Sequence, residues 1–330
     1  MQEKDSISLI EHLSIIKDPR IERTKKHKLI DILIITVCAV ICRNDTWNDI
    51  EDFALENEEW FSRFLDLDNG IPSHDTIARV ISLINPKEFE RAFYQWTSSI
   101  KTILNGEHHI AIDGKSLRGT LKGEHKTSAL NLIHAWSVNN NVVLAQNATG
   151  TKTNEITSIS ELLSYLELKG CIVSIDAIGC QSEFAEKIRK KDGDYVLALK
   201  GNQKILHDKV DRIFHDFLER NHTSIPYDQY HTEEKGHGRN EKRSYYSFSK
   251  NIFSELDDEI VWMDFKSVTA VHSTREIKGQ FQSEIRYFIS SLKNDAAKIG
   301  KYIREHWHIE NKLHWSLRNR NCILLCNSCS

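Results

Sequence analysis

Seven consecutive segments beyond residue 106 constrain the fold more tightly than any other feature of this chain. "HIAIDG", "ALNLIHAWSV" and "VVLAQNAT" are strand-like runs rich in apolar and β-branched residues, and Asn139-Asn140-Asn141 offers a hairpin turn between the second and third. "SISELLSYLEL" then has helical spacing, "CIVSIDAIG" reads as a strand, "SEFAEKIRKK" as a helix and "DYVLALKG" as a strand. Adjacent strands can pair through a tight turn, whereas strands separated by a helix pair in parallel through a crossover. The order therefore predicts a mixed sheet with helices packed against it.

Three strands followed by helix, strand, helix, strand is the arrangement of the ribonuclease H-like fold, which does not by itself establish a function. Before residue 106 the signals are helical. "ISLIEHLSII", "LIDILIITVCAVIC" and "TWNDIEDFALENEEWFSRFL" place apolar residues at three- and four-residue steps. Ser73 is the expected N-cap of "SHDTIARVISLI", and Asn85, Pro86 and Glu88 form a cap, first turn and capping box for the next helix. The expected class is thus α/β: an all-α domain over residues 1–106, then a ribonuclease H-like mixed sheet flanked by helices over 107–315. A long insertion, about 204–295, separates the fifth strand from a late helix, and "IVWMDFKSVTAV" and "SEIRYFISSL" suggest that it is largely β. Residues 316–330 form a tail apart.

Composition narrows the partners. A chain of 330 residues with 40% hydrophobic and 28% charged residues is of ordinary globular type. Its formal net charge of -3 gives no global basic signature, so any nucleic-acid binding has to rest on local patches. The longest apolar run, Leu29 to Cys42, contains Asp31 and falls short of the roughly 20 residues of a membrane span. "MQEKDSISLIEHL" lacks the basic start and cleavage site of a signal peptide, which leads us to expect a cytoplasmic protein with no membrane partner. The cysteines then need not pair, and Cys38, Cys42, Cys171 and Cys180 lie in apolar stretches as core thiols.

Two strands deliver a carboxylate. In "IAIDGKSLRG", Ala111 and Asp113 share one face; in "CIVSID", Ser174 and Asp176 do. If the first and fourth strands are neighbours, Asp113 and Asp176 lie side by side near the strand ends, and their mutual repulsion calls for a positive charge between them. Carboxylate oxygens favour Mg²⁺ or Mn²⁺, and a pair of such ions suits in-line attack at phosphorus. Either Asp alone is equally at home capping a turn, as Asp113 would at Gly114. A third ligand is available in "YIREHWHIENKLHW", read as one helix in which His306, Glu310 and His314 lie on one stripe. That stripe is also compatible with zinc, or with a core helix bearing an exposed carboxylate.

"IAIDGKSLRG", "VSIDAIGCQ", "DYVLALKGNQ", "HGRNEKR" and "HWHIENKLHW", in that order, resemble the landmarks of the H-repeat-associated, ISAs-type family of bacterial DDE transposases. Upstream, "DPR", "GIPSHDTIARV" and "FYQW" are similar to that family's helical associated domain. The resemblance implies that the matching Asp113, Asp176 and Glu310 are both catalytic and metal ligands, binding two Mg²⁺ or Mn²⁺ ions to cut transposon ends and join them to target DNA. His306, Asn311 and His314 would support the site. It further implies DNA as partner, bound by a homo-oligomer. Candidate DNA contacts are Lys115 and Arg118 after the first Asp, Lys200, Asn202 and Gln203 after the fifth strand, and His237, Arg239, Lys242 and Arg243 in the basic stretch "EEKGHGRNEKRSYY". "KDPRIERTKKHKL" is the strongest basic cluster of the first domain, and a solvated arm would look the same.

After Trp315 the chain departs from the family pattern and reads "SLRNRNCILLCNSCS". Cys322, Cys326 and Cys329 lack a fourth ligand for zinc. Two expectations of different class follow. One is an active metal-dependent transposase; the other is an inactive truncated relative that at most binds DNA or pairs with an intact copy.

Overall fold

The computed structural model describes residues 9–103, 108–117, 130–149, 153–220, 225–236, 239–256, 262–277 and 280–314. They fall into two compact units that divide between residues 105 and 106. Among the described residues, no helix is long and apolar enough to cross a membrane.

The first unit is helical: α1 (Leu9–Leu13), α2 (Leu29–Ile41), α3 (Trp47–Glu56), α4 (Glu58–Phe61), α5 (His74–Leu83) and α6 (Pro86–Ile103). α2 is apolar on nearly every side, which sends it to the centre. Its Ile32, Leu33, Ile35 and Val37 pack with Ile50 and Ala54 of α3, Phe61, Ile77 and Val80 of α5, and Ala92 of α6. Thr46 and Asp49 close a reciprocal capping box on α3. Ser73 does occupy the N-cap position of α5 but makes no side-chain cap bond. The His74 N–H donates instead to Glu51 from α3, at 2.8 Å. Glu88 likewise reaches away from its own helix end to accept from the Lys17 N–H at 3.2 Å.

Asp31 is buried inside this unit, 3% exposed. Burial raises its carboxyl to about 6; Lys28 pulls it down, while the charges of Asp66 and Asp68 push it further up. A folded-state value above the unfolded one near 3.8 makes Asp31 favour folding at low pH, and that contribution is lost as pH rises through 6. The cost of ionising it is up to about 3 kcal/mol at neutral pH. Asp31→Asn is therefore expected to raise the unfolding midpoint at pH 7.5 and to leave it nearly unchanged near pH 3, below the unfolded-state value. Equal effects at both pH values would show that the charge is not the cause.

The second unit runs β1 (His108–Leu117), β2 (Leu130–Ser137), β3 (Val142–Thr149), α7 (Thr153–Tyr165), β4 (Cys171–Ile175), α8 (Ser182–Lys190), β5 (Asp194–Leu199), α9 (Lys204–Glu219), β6 (Asp228–Gly236), β7 (Arg239–Ser249), β8 (Ser267–Ile277), β9 (Gln280–Ser290) and α10 (Ala296–His308). A π-helical turn, Ile309–His314, continues α10. β1 pairs antiparallel with β2 and parallel with β4; β2 pairs antiparallel with β3, and β4 parallel with β5. The order β3-β2-β1-β4-β5 is that of the ribonuclease H-like fold. Asn141, at φ 54°, turns the β2–β3 hairpin in the left-handed region that Asn tolerates.

The insertion is largely β, as expected, and has two features that the sequence reading did not contain. It opens with a 16-residue helix, α9, whose Leu206, Val210, Phe214 and Phe217 are buried on one face. Its strands also extend the core sheet: β9 pairs antiparallel with β5, so that the described strands make one nine-stranded sheet, β3-β2-β1-β4-β5-β9-β8-β7-β6. The core strand β5 would otherwise present an unpaired edge.

α10 lies across this extended sheet. Ile299, Tyr302 and Ile303 pack with Ile172 of β4, Val196 of β5, Tyr245 of β7 and Val271 of β8. Arg304 grips Glu234 of β6 through two bonds of 3.0 and 2.8 Å. Asp295 caps the helix by accepting from the Lys298 N–H, and Asp228 accepts from the Ala296 N–H at 2.7 Å. The insertion strands thus hold the helix that leads into Glu310.

Candidate active site

The parallel register sets Ala111 opposite Ser174 and Ile112 opposite Ile175, where β4 ends. Asp113 follows on β1 and Asp176 comes directly after the last residue of β4, and both line the same cleft as Ser174. Asp113 is not the end of its strand: β1 continues to Leu117 along β2. What stops at Asp113 is the parallel pairing with β4, which leaves the carboxylate at a split in the sheet. Asp176 is followed by a tight turn, Ala177–Gly179.

Glu310 arrives from the opposite direction. The expected single α-helix stops at His308, and Glu310 lies in the π-helical turn. Such a turn widens the helix and re-aims the side chains that follow. Ile309 anchors it, fully buried against Ala111, Trp136 and Val138.

Asp113, Asp176 and Glu310 line one cleft of about 410 Å³, together with Ser174, Lys200, His207, Glu284, Arg286, His306 and Trp307. Burial pushes the Asp113 carboxyl up to about 7; the charges of Asp176 and Glu310 add to this, while the Gly114 N–H, which donates to its Oδ1 at 2.8 Å, and Lys115 oppose it. Asp176 is raised as well, first by burial and then by Glu310, against the Ile178 and Gly179 N–H groups and the Lys200 ammonium. The cleft therefore gathers carboxyl groups whose ionisation is opposed by burial and by one another.

Hard oxygen donors in mutual repulsion suit a divalent cation in kind. They are not packed into a finished cage: among the described residues, no three His, Cys, Asp or Glu side chains are gathered closely enough to hold an ion as they stand.

The remaining expected residues are distributed unevenly. Lys200 and His306 line the cleft, and Lys115 is close enough to Asp113 to act on its charge. Asn202 and Gln203 brace the Asp176 turn, donating to the carbonyls of Ala177 (2.7 Å) and Cys180 (2.8 Å). Arg243 is buried, its guanidinium 2.7 Å from Glu241 and 3.3 Å from Glu234, and Lys242 lies 3.8 Å from Glu233. These two belong to the ion-pair network of β6–β8 and do not line the cleft. Arg239 lies on β7, and Asn311 and His314 lie in the π-helical turn. Arg118, His237 and the tail with Cys322, Cys326 and Cys329 lie outside the described residues. In the helical unit, Arg20 is held by Asp18, Lys25 by Glu22 and Lys28 by Asp66, so much of that basic cluster is neutralised locally.

Sequence reasoning missed Arg286 and Trp307. Arg286 is clamped by Glu284 at 2.8 and 2.9 Å, and its guanidinium carbon sits 5.0 Å from the centre of the Trp307 ring. No local pattern marks this pair, because β9 and α10 meet only in the fold.

Residues 104–326 match the family model described as Transposase DDE domain, and residues 10–97 match one described as DDE_Tnp_1-associated. The chain is similar to "Putative transposase YncI" of Escherichia coli O157:H7, 43% identical over 314 residues that cover 94% of this chain and 79% of the relative. It is also similar to "H repeat-associated putative transposase YhhI" of Escherichia coli strain K12, 41% identical over 318 residues covering 94% of this chain and 82% of the relative. Among solved structures, a piggyBac transposase synaptic complex with hairpin DNA aligns with a TM-score of 0.41 and 14% identity, over 99% of this chain and 70% of that one.

Proposed function

This chain belongs to the transposase DDE domain family, and from that premise we propose that it cuts DNA at the ends of a mobile element and joins the freed ends to target DNA. The observation that carries the reading is the convergence of Asp113, Asp176 and Glu310 on one cleft with Lys200 and Arg286 beside them.

Asp113, Asp176 and Glu310 would hold Mg²⁺ or Mn²⁺, and a pair of ions fits the chemistry. Bound there, the metal supplies Lewis acidity at the scissile phosphate and lowers the pKa of the attacking hydroxyl. The protein groups orient the DNA. Lys200 and Arg286 meet phosphate oxygens, Lys115 adds charge on the β1 side, and the clamp of Glu284 and Trp307 on Arg286 limits how far the guanidinium can swing. The same carboxylates serve both steps, with water as nucleophile in end cleavage and the freed 3′-hydroxyl in strand transfer. Both element ends have to be held together, so a homo-oligomer acts, in the bacterial cytoplasm at the nucleoid.

The test is binding and cleavage of duplexes carrying the element's own ends. With a net charge of -3 and binding confined to local basic groups, affinity is expected to fall linearly on a log-log salt plot. The slope should be about −0.9 per phosphate contacted. Cleavage should require Mg²⁺ or Mn²⁺ and stop on chelation. Cleavage that persists in chelator, or affinity indifferent to salt, would overturn the reading.

A further inference from the structure

Beneath the carboxylates runs a closed set of hydrogen bonds that none of the expected roles explains. His109 on β1 is 1% exposed, with Nδ1 3.2 Å from Glu305 Oε2 and Nε2 2.7 Å from Ser174 Oγ. Ser174 Oγ is in turn 2.7 Å from His306 Nδ1. Glu305 and His306 are neighbours on α10, so the path leaves the helix, crosses β1 and β4, and returns to the helix. Each element that bears a carboxylate contributes a member: His109 lies two pleats below Asp113, Ser174 one pleat below Asp176, and His306 about one turn before Glu310. The His109 ring also meets the Tyr302 ring of α10 edge-on, at 5.1 Å between centroids.

The direction of the protons follows from the chemistry of the ends. Burial works against ionising Glu305, but the hydrogen bond from His109 and the Lys301 charge oppose it and hold the carboxyl below its usual range, so it only accepts. His109 Nδ1–H must then donate to it. Desolvation keeps the buried His109 ring neutral, so its Nε2 carries a lone pair and accepts from the Ser174 hydroxyl. That hydroxyl has one proton, now committed, and its oxygen can only accept from His306 Nδ1–H. The ring so held by its Nδ1 side lines the carboxylate cleft.

We propose that Glu305, His109, Ser174 and His306 are positioning residues whose one-way hydrogen-bond circuit holds His306 as its Nδ1–H tautomer and clamps the helix carrying Glu310 to the strands carrying Asp113 and Asp176. The part of this concerning the cleft rests on the metal reading given above; the circuit itself does not. Its consequence is that the elements bearing the three carboxylates are tied to one another, and that the His306 ring is held by its Nδ1 side where it lines the cleft. Groups that orient metal ligands in this way typically change metal affinity about 10- to 100-fold when removed.

The decisive measurement uses the unaltered full chain without metal. Two-bond ¹H–¹⁵N spectra at pH 7.5 should show His306 with a protonated Nδ1 and a bare Nε2; the opposite tautomer would overturn the circuit. Ser174→Ala and the isosteric Glu305→Gln should each make that tautomer lose its exclusivity, and Ser174→Ala should weaken Mn²⁺ binding, followed by calorimetry, about 10- to 100-fold. An unchanged tautomer in both variants overturns the proposal, as does unchanged Mn²⁺ affinity in Ser174→Ala. If the unaltered chain binds no Mn²⁺ at all, the metal reading fails, while the tautomer still decides the circuit.

Discussion

Asp113→Asn is expected to remove end cleavage and strand transfer while making the metal-free protein harder to unfold. Both effects come from the same charge. Burial, with Asp176 and Glu310 nearby, raises the Asp113 carboxyl, so without a cation the ionised group is opposed by its surroundings. The amide keeps the shape and removes the repulsion, and thermal unfolding in chelator at pH 8 should shift upward. With a divalent ion in the assay the sign reverses. A hard anionic ligand is lost, and metal catalysis accounts for several kcal/mol of barrier lowering, on the order of a thousandfold or more in rate. The two measurements constrain each other: loss of activity together with loss of stability would mark Asp113 as a structural turn residue, the alternative reading of a lone strand Asp.

Gly179→Ala should be nearly as damaging, although Gly179 touches no substrate. A Cβ at that position would lie 2.1 Å from Ile175 Cγ2 and 2.9 Å from Ile175 Cβ. Neither side can give way. Ile175 is buried at the end of β4 between Ile112 and Leu197, and the turn is braced by Asn202 and Gln203. Relief can come only from lifting the turn that begins at Asp176. Overpacking of this kind costs roughly 1–3 kcal/mol of stability, and a displacement of about 1 Å at the chemistry costs on the order of a hundredfold in rate. Adding Ile175→Ala to the same chain removes the obstructing atoms and should recover part of the activity, a non-additive effect expected only of residues in contact. Full activity of Gly179→Ala alone would mean that the turn is not rigid in solution.

Much of the second unit could be read in the amino-acid order, because its signals are local. Alternation put Asp113 with Ala111 and Asp176 with Ser174 before any neighbour was known, and strand count with crossover length sufficed to make β1 and β4 candidates for adjacency. The helical character of the first unit followed in the same way from three- and four-residue spacing. The tertiary structure alone decided what depends on partners distant along the chain. β9 closes the edge of β5 from residues 280 to 290, and no pattern in "QFQSEIRYFIS" names that strand's partner. α9 has clear helical spacing that the neighbouring strand-like runs obscured. The π-helical turn at Glu310 begins at Ile309, which is buried against Ala111 of β1 and Trp136 of β2, contacts that local spacing does not name. Arg243 illustrates the opposite case: its sequence surroundings are basic, yet Glu241 and Glu234 take up its charge within the sheet. The circuit through His109, Ser174 and His306 could not have been read locally at all, since its members are 65 and 132 residues apart and are joined by 2.7 Å bonds only once two strands and a helix have met. Local periodicity determines which residues share a face; closing the sheet and laying α10 across it determines which faces meet.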